Sequence, residues 1–284
     1  MKSNDRLIPL LWASFAPLAI LTAIFGPLLI IFSESTAGFW AWEIKPAMSA
    51  VWVGAAYTFG AIAIITMLAV GRWRAAMLPI IATWIFSLVM LFATLVHLDR
   101  FFLGTVSFYV WLAIYVALPL LLPVIWWLNK DRDPGPRPNE TLVPRRLSMA
   151  AVALGVLLAL ASLLLIFAPF VTASFWPWQL TPLMSRIIGG WVLFAGVGLI
   201  FLLFERRYII YRYFLPCAGI WMAILFFASF LHLDNFNFSR AGSWLWFVLV
   251  GGLSVAAFGL YFYIESLYRE STAQTQAVAP EAAV

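Results

Sequence analysis

Eight apolar runs, each long enough to cross a bilayer as a helix, constrain this chain of 284 residues more than anything else in it. They lie near 8–32, 48–70, 76–97, 107–128, 147–170, 184–204, 213–233 and 243–265. A hydrocarbon core is spanned by roughly 20 helical residues. Only 10% of the residues are charged, against about 25% in soluble domains, so most of the surface must face lipid or neighbouring helices. The first run is too long for the apolar part of a signal peptide and precedes no small-residue cleavage site, so it is expected to persist as a helix. Pro17, Pro27, Pro79, Pro119, Pro123 and Pro216 fall inside the runs, where a membrane tolerates proline as a kink because neighbouring groups satisfy the freed carbonyls.

Lysine and arginine placement predicts the orientation. With the N-terminus inside, thirteen basic residues lie on the cytoplasmic side and four, Lys45, Arg100, Arg186 and Arg240, on the outer side. Both termini are then cytoplasmic. The stretch 129–146, NKDRDPGPRPNETLVPRR, is the one long polar segment between runs. Its proline, glycine and charge predict an extended cytoplasmic linker without a core of its own. The polar tail, 269–284, is expected to be disordered.

The linker separates two similar halves, 1–128 and 147–268. FWAWEIKPAMS at 39–49 matches FWPWQLTPLMS at 175–185, sharing Phe, Trp, Trp, Pro, Met and Ser at an offset of 136. FATLVHLDRF at 92–101 matches FASFLHLDNF at 227–236 at an offset of 135, and IFGP at 24–27 resembles IFAP at 166–169. The expected fold is an all-α integral membrane protein of eight transmembrane helices, arranged as two parallel four-helix tandem repeats. An even number of spans per copy relates the copies by a pseudo-twofold along the membrane normal rather than in its plane.

The second match contains the only two histidines, His97 and His232, each followed by Leu-Asp. Both triplets close an odd-numbered span at the outer face. The structural reading is that His finishes a helix and Asp accepts local hydrogen bonds just beyond it. The ligand reading makes His97 and His232 axial ligands of a haem or chlorin. They could otherwise bind a divalent metal together with Asp99 and Asp234. Residues two apart point about 200° from each other on a helix, so one triplet alone does not form a ligand pair. A third reading, a base serving Ser49 or Ser185 as nucleophile, lacks any nucleophile-elbow context. Trp40, Trp42, Trp176 and Trp178 suit an aromatic belt at headgroup depth, or else the wall of a site for a flat or amphipathic ligand.

Other patterns narrow the choice. No Asp, Glu, Lys, Arg or His occupies the middle of a span, which disfavours a proton relay or carboxylate-based ion pathway. Cys217 is alone, excluding multi-cysteine metal sites and an internal disulfide; in its apolar run it reads as a packing residue. The outer segments carry four acids against four bases, so they steer no strongly charged substrate. Cytoplasmic segments are too short to form a nucleic-acid module, and no nucleic-acid partner is expected. Gly189–Gly190 and Gly251–Gly252 allow close helix approach, with a membrane protein partner or a second copy among the candidates.

The pattern FWPWQLTPLMSR followed by LHLDNF resembles one found in uncharacterised polytopic bacterial membrane proteins. The resemblance covers only the repeated motifs and implies no activity. Lys45 and Ala50 stand where the second copy has Thr181 and Arg186. The sequence therefore predicts a multi-pass protein of the cytoplasmic membrane, embedded in the lipid bilayer and non-catalytic. It is expected to bind or pass a neutral or amphipathic molecule at its outer face, or to serve as a subunit of a membrane complex. Electron transfer through haem, pigment or metal is the alternative, and no cofactor is the leading expectation.

Overall fold

The computed structural model describes residues 5–133, 135 and 140–278, with side chains through residue 270. Among these residues ten α-helices run in the order α1 (Pro9–Ile31), α2 (Ala47–Val70), α3 (Trp73–Val96), α4 (Val106–Asn129), α5 (Arg145–Phe167), α6 (Pro169–Phe175), α7 (Pro182–Ile200), α8 (Tyr208–Tyr211), α9 (Phe214–Leu231) and α10 (Ala241–Val278). Among the described residues there is no strand, only isolated bridges. Eight segments of the described residues are long and apolar enough to span a bilayer, with α8 joined to α9 in one of them. Large apolar side chains such as Leu120, Leu157, Val255 and Leu231 cover the outside, as expected of a surface bathed in acyl chains.

The centre of the bundle goes to helices with small residues. α2 is the most buried span and α3 the next, while α1 and α10 are peripheral. Gly54 on α2 meets Gly26 on α1 so closely that a Cβ on Gly54 would lie 2.7 Å from the Gly26 carbonyl oxygen. In the other half, a Cβ on Gly155 of α5 would lie 2.8 Å from the Gly196 carbonyl oxygen of α7. Where no apolar solvent contrast drives helices together, such backbone proximity is what holds them. α3 packs on α7, and α2 on α9, so the two halves are joined through crossed neighbours.

Equivalent backbone hydrogen bonds recur in both halves. Leu7 N–H donates to Gly71 O, and Val143 N–H to Arg206 O. Trp73 N–H donates to Asp5 O, and Tyr208 N–H to Thr141 O. Each segment preceding a half's first helix thus clips onto the turn that precedes its third span. In the first half that turn needs Gly71, whose φ of 65° is left-handed.

Several segments depart from expectation. The fifth span does not run smoothly to residue 170: it stops at Phe167, and Pro169, which lacks an N–H, begins the separate α6. The IFGP/IFAP likeness is consequently out of register, since Pro27 lies inside α1. α10 continues to Val278 instead of ending near residue 268; residues 271–278 contain no glycine or proline to stop it. The rest of the tail, 279–284, lies outside the described residues.

The 129–146 connection is anchored where it is described. Asp133 accepts from Arg74 Nε at 3.1 Å and from Arg207 Nη1 at 2.9 Å. Glu140 accepts from Arg74 Nη1 at 3.0 Å, and Arg206 holds the Val143 carbonyl. Arg74 and Arg207 are both buried. Burial alone would raise the Asp133 carboxyl pKa, but the hydrogen bonds and charge of Arg207, then Arg74, hold it below the usual carboxylate range. Residues 134 and 136–139 lie outside the description.

Candidate functional site

The site reads upward from two aromatic boxes at the histidine end of the bundle. In the first half Trp42 packs edge-on against Trp111 at 4.8 Å between ring centroids and against Phe101 at 5.0 Å. In the second half Trp178 packs against Trp246 at 4.9 Å and Phe236 at 5.4 Å. One hydrogen bond completes each box: Trp111 Nε1 donates to Thr94 Oγ1, and Trp246 Nε1 to Ser229 Oγ, both at 2.8 Å. Thr94 and Ser229 each donate in turn to the carbonyl four residues back. The indole N–H, costly to bury alone, finds a hydroxyl there.

Trp40, Trp42 and Trp178 are buried. They form neither a headgroup-facing belt nor an open ligand wall, because each is stacked into its own half's core. Trp176 is half-buried. The tryptophans that satisfy these boxes from the fourth span of each half, Trp111 and Trp246, carry no local motif. They are separated by the same offset of 135 as the histidines, and that is the signal that points to them.

His97 and His232 occupy the C-cap positions of α3 and α9 with nearly the same backbone, φ −126° and ψ 31° or 34°. Each leads into a 3₁₀ turn, Leu98–Arg100 or Leu233–Asn235. Their side chains have different surroundings. Arg186 Nη1 lies 2.7 Å from His97 Nε2. A guanidinium only donates, so Nε2 accepts and the ring is neutral, with its proton on Nδ1. Burial, and then the Arg186 charge, lowers the His97 pKa, with Asp99 opposing and Arg100 adding to the shift. Ala50 is the residue that corresponds to Arg186 in the other half, so His232 has no such contact.

The aspartates remain local. Asp99 pairs with Arg100 at 3.0 Å, both exposed, and Asp234 accepts from Asn235 Nδ2 at 3.0 Å. Among the described residues no three His, Cys, Asp or Glu side chains come together as a metal set, so His97, Asp99, His232 and Asp234 are not assembled. Asp234 instead lines a surface depression of about 580 Å³ with Gln179, Asn237 and Arg240. Ser49 and Ser185 are fully buried. Ser49 accepts from Trp178 Nε1 at 2.9 Å, and Ser185 donates to Leu165 O at 2.7 Å. Both hydroxyls serve packing.

The rings continue inward. Trp111 stacks on Tyr115 at 4.4 Å, Tyr115 neighbours Phe86, and Phe86 contacts Trp191 at 4.4 Å. Trp40 reaches Tyr57 at 5.5 Å, and Tyr57 reaches Trp191 at 6.2 Å. These inner rings border a cavity of about 100 Å³ between α1, α2, α3, α4, α7 and Phe214 of α9. Its wall includes Tyr57, Tyr115 and Trp191 and contains no Asp, Glu, Lys, Arg or His. The hydroxyls of Tyr57 and Tyr115 are 3.5 Å apart and buried. The buried Trp191 Nε1–H has no hydrogen-bond partner. Native structures seldom leave such a group unpaired. No sequence motif marks this chamber, although tyrosine within a span shows where an apolar helix carries a hydroxyl.

Neither the family models, the curated proteins nor the solved structures compared with the chain match it.

Proposed function

We propose that this multi-pass membrane protein is a non-catalytic component that receives a neutral, largely apolar molecule in the aromatic chamber between its halves. The chamber wall is the observation that carries the reading: hydrocarbon and ring faces from both halves, a few buried donors and no charged side chain. Burial there gains about 25 cal/mol for each Å² of apolar ligand surface, whereas an unpaired charge is strongly penalised. The volume is somewhat below that of an apolar cavity of roughly 150 Å³ that accommodates a benzene ring. The fit is therefore to a small molecule or to one portion of a lipid-soluble one.

This moves the binding place from the outer face, where the tryptophans pointed, to the interior they lead into. The haem, chlorin or metal reading has less support, because His97 Nε2 is engaged by Arg186. In the same proposal the halves are copies of one four-helix unit, supported by the recurring box and clip hydrogen bonds. Cytoplasmic termini in the cell membrane, supported by the arginine distribution, complete the proposal.

Gly60 offers the test. A Cβ there would have ordinary clearance, 3.9 Å from Trp191 and 4.0 Å from Thr22, so Gly60→Leu grows into the chamber without meeting backbone. In protein reconstituted in nanodiscs, an aliphatic diazirine should photolabel residues of the chamber wall, and Gly60→Leu should abolish that labelling while the helical content is kept. Equal labelling of wild type and variant would mean that the chamber is not the site.

A further inference from the structure

We propose that a crevice between α2, α9 and α10 binds the phosphate and first acyl carbons of an anionic phospholipid. It lies at the bundle end where Asp133 meets Arg74 and Arg207, and it is separate from the aromatic chamber. The crevice is open at the surface and has a volume of about 290 Å³. Its polar and apolar residues are sorted by depth. Thr66 of α2, with Arg212 and Tyr213 just ahead of α9, forms the end nearest the polar segments. Ile62 lies about 6 Å further into the span than Thr66, and Ile220 about 6 Å further than Pro216. Cys217 lies between them, its thiol donating to the Tyr213 carbonyl. A molecule with one charged end and a hydrocarbon continuation matches that gradient. Basic pockets between helices at a membrane surface take lipid headgroups of this kind.

Charge selects the headgroup. The buried Glu265 carboxylate accepts from Arg212 Nη2 at 2.6 Å, from Arg212 Nε at 2.9 Å and from Arg269 Nε at 3.3 Å. Two guanidinium groups share one carboxylate, so one positive charge is left over. Arg212 Nη1 has no hydrogen-bond partner among the described residues, and no Asp or Glu among them lines the crevice. A phosphate oxygen accepts from such a group in a charge-assisted bond, about twice as strong as a neutral one. Hydroxyls add to the recognition. Those of Thr66, Tyr213 and Tyr261 make no hydrogen bond among the described residues. Thr58, earlier on α2, returns its hydroxyl to the Gly54 carbonyl, and Thr66 does not do the same. Each of the three is free to donate to a phosphate or glycerol oxygen. Met77 and Leu78 stand in the first half where Arg212 and Tyr213 stand in the second, at the offset of 135. The charged end of the crevice therefore belongs to the second half alone.

Four probes, titrated into the full-length protein in detergent and read by native mass spectrometry, test the site. Dioleoylphosphatidylglycerol carries the chains and a net negative charge, and dioleoylphosphatidylcholine carries a phosphate whose charge is balanced. Dioleoylglycerol lacks the phosphate, and sn-glycerol 3-phosphate lacks the chains. The first phosphatidylglycerol should bind about tenfold more tightly than dioleoylglycerol, as expected of one hydrogen bond to a charged group. Phosphatidylcholine should fall between them, and glycerol phosphate should not bind at the same concentration. Arg212→Gln should lower phosphatidylglycerol affinity about tenfold. The Thr66→Val/Tyr213→Phe/Tyr261→Phe variant keeps every charge and ring and should lower it about fivefold. Equal binding of phosphatidylglycerol and dioleoylglycerol to wild type would overturn the role of the phosphate. Phosphatidylcholine binding as tightly would overturn the need for net charge, and glycerol phosphate binding as tightly would overturn the lipid. Phosphatidylglycerol affinity unchanged in the hydroxyl variant would put the lipid elsewhere on the bundle and overturn the crevice. That variant decides the matter if Arg212→Gln fails to fold.

Discussion

The two halves agree where each stabilises itself and differ where they meet. Both build a Trp–Trp–Phe box, both close it with an indole-to-hydroxyl bond at 2.8 Å, and both end their third span on a histidine. Three differences between matched positions bear on how the halves join. Thr181 caps its own helix by accepting from Met184 N–H. The first half has Lys45 at that place, and Met48 N–H donates instead to Asn235 Oδ1 of the second half at 3.0 Å. Arg186 crosses to His97, where the other half has only Ala50. Trp178 donates across to Ser49, while the Trp42 N–H is left unpaired. A pair of identical units would meet through identical contacts. The differences make the two halves one asymmetric body.

The largest expected effect tests the bond between halves at the other end. Asp133 joins Arg74 of the first half to Arg207 of the second. Asp133→Asn removes a charge from between two buried guanidinium groups, and thermal unfolding in detergent should show a loss of about 3 kcal/mol. A change below about 1 kcal/mol would show that Glu140 and Glu205 suffice and that the linker is not a clamp.

Next come the boxes. Trp111→Phe and Trp246→Phe should each cost about 1–3 kcal/mol for the lost N–H bond and volume, and the two should match closely. Trp178→Phe should cost about 1 kcal/mol more than Trp42→Phe, because only Trp178 loses a hydrogen bond, the one to Ser49. Equal losses in that second pair would deny the cross-half bond any energetic role.

The smallest effect is a pH dependence. The native His97 pKa is lowered by burial and by Arg186, so the unfolded state binds the proton more readily. The contact's stability is then complete above the unfolded value of about 6.5 and declines as pH falls through it. Melting curves from pH 8 to 5 should show this decline in wild type and in His232→Gln, with a flatter profile in His97→Gln. A flat wild-type profile, or flattening by His232→Gln, would remove the asymmetry assigned to the two histidines.

Much of the fold was legible in the chain because a bilayer imposes a simple rule. Backbone groups must be satisfied within each span, so apolar length alone marks α1 to α5, α7, α9 and the start of α10 to within a few residues. The HLD triplets were legible as helix ends, since a histidine and an aspartate after an apolar run meet the needs of terminal carbonyls and turns. The tryptophan motifs were legible as important but not as interior. Hydropathy places an indole near an interface and cannot say whether a neighbouring helix covers it. Trp42 and Trp178 are covered because α4 and α10 bring Trp111 and Trp246 against them.

The sequence by itself determined the fold class, the eight spans and the repeated motifs, all of which depend on local composition or on similarity along the chain. Only the tertiary structure decided which half's residue answers which, and that a cavity walled by rings and hydrocarbon, without a charged side chain, lies beneath the tryptophans. Tyr57, Tyr115 and Trp191 stand far apart in the chain and share no pattern. Their juxtaposition arises only where α2, α4 and α7 converge around Phe86 of α3. The histidines divide along the same line: two identical triplets in sequence, and one of them joined to an arginine from the other half only in three dimensions.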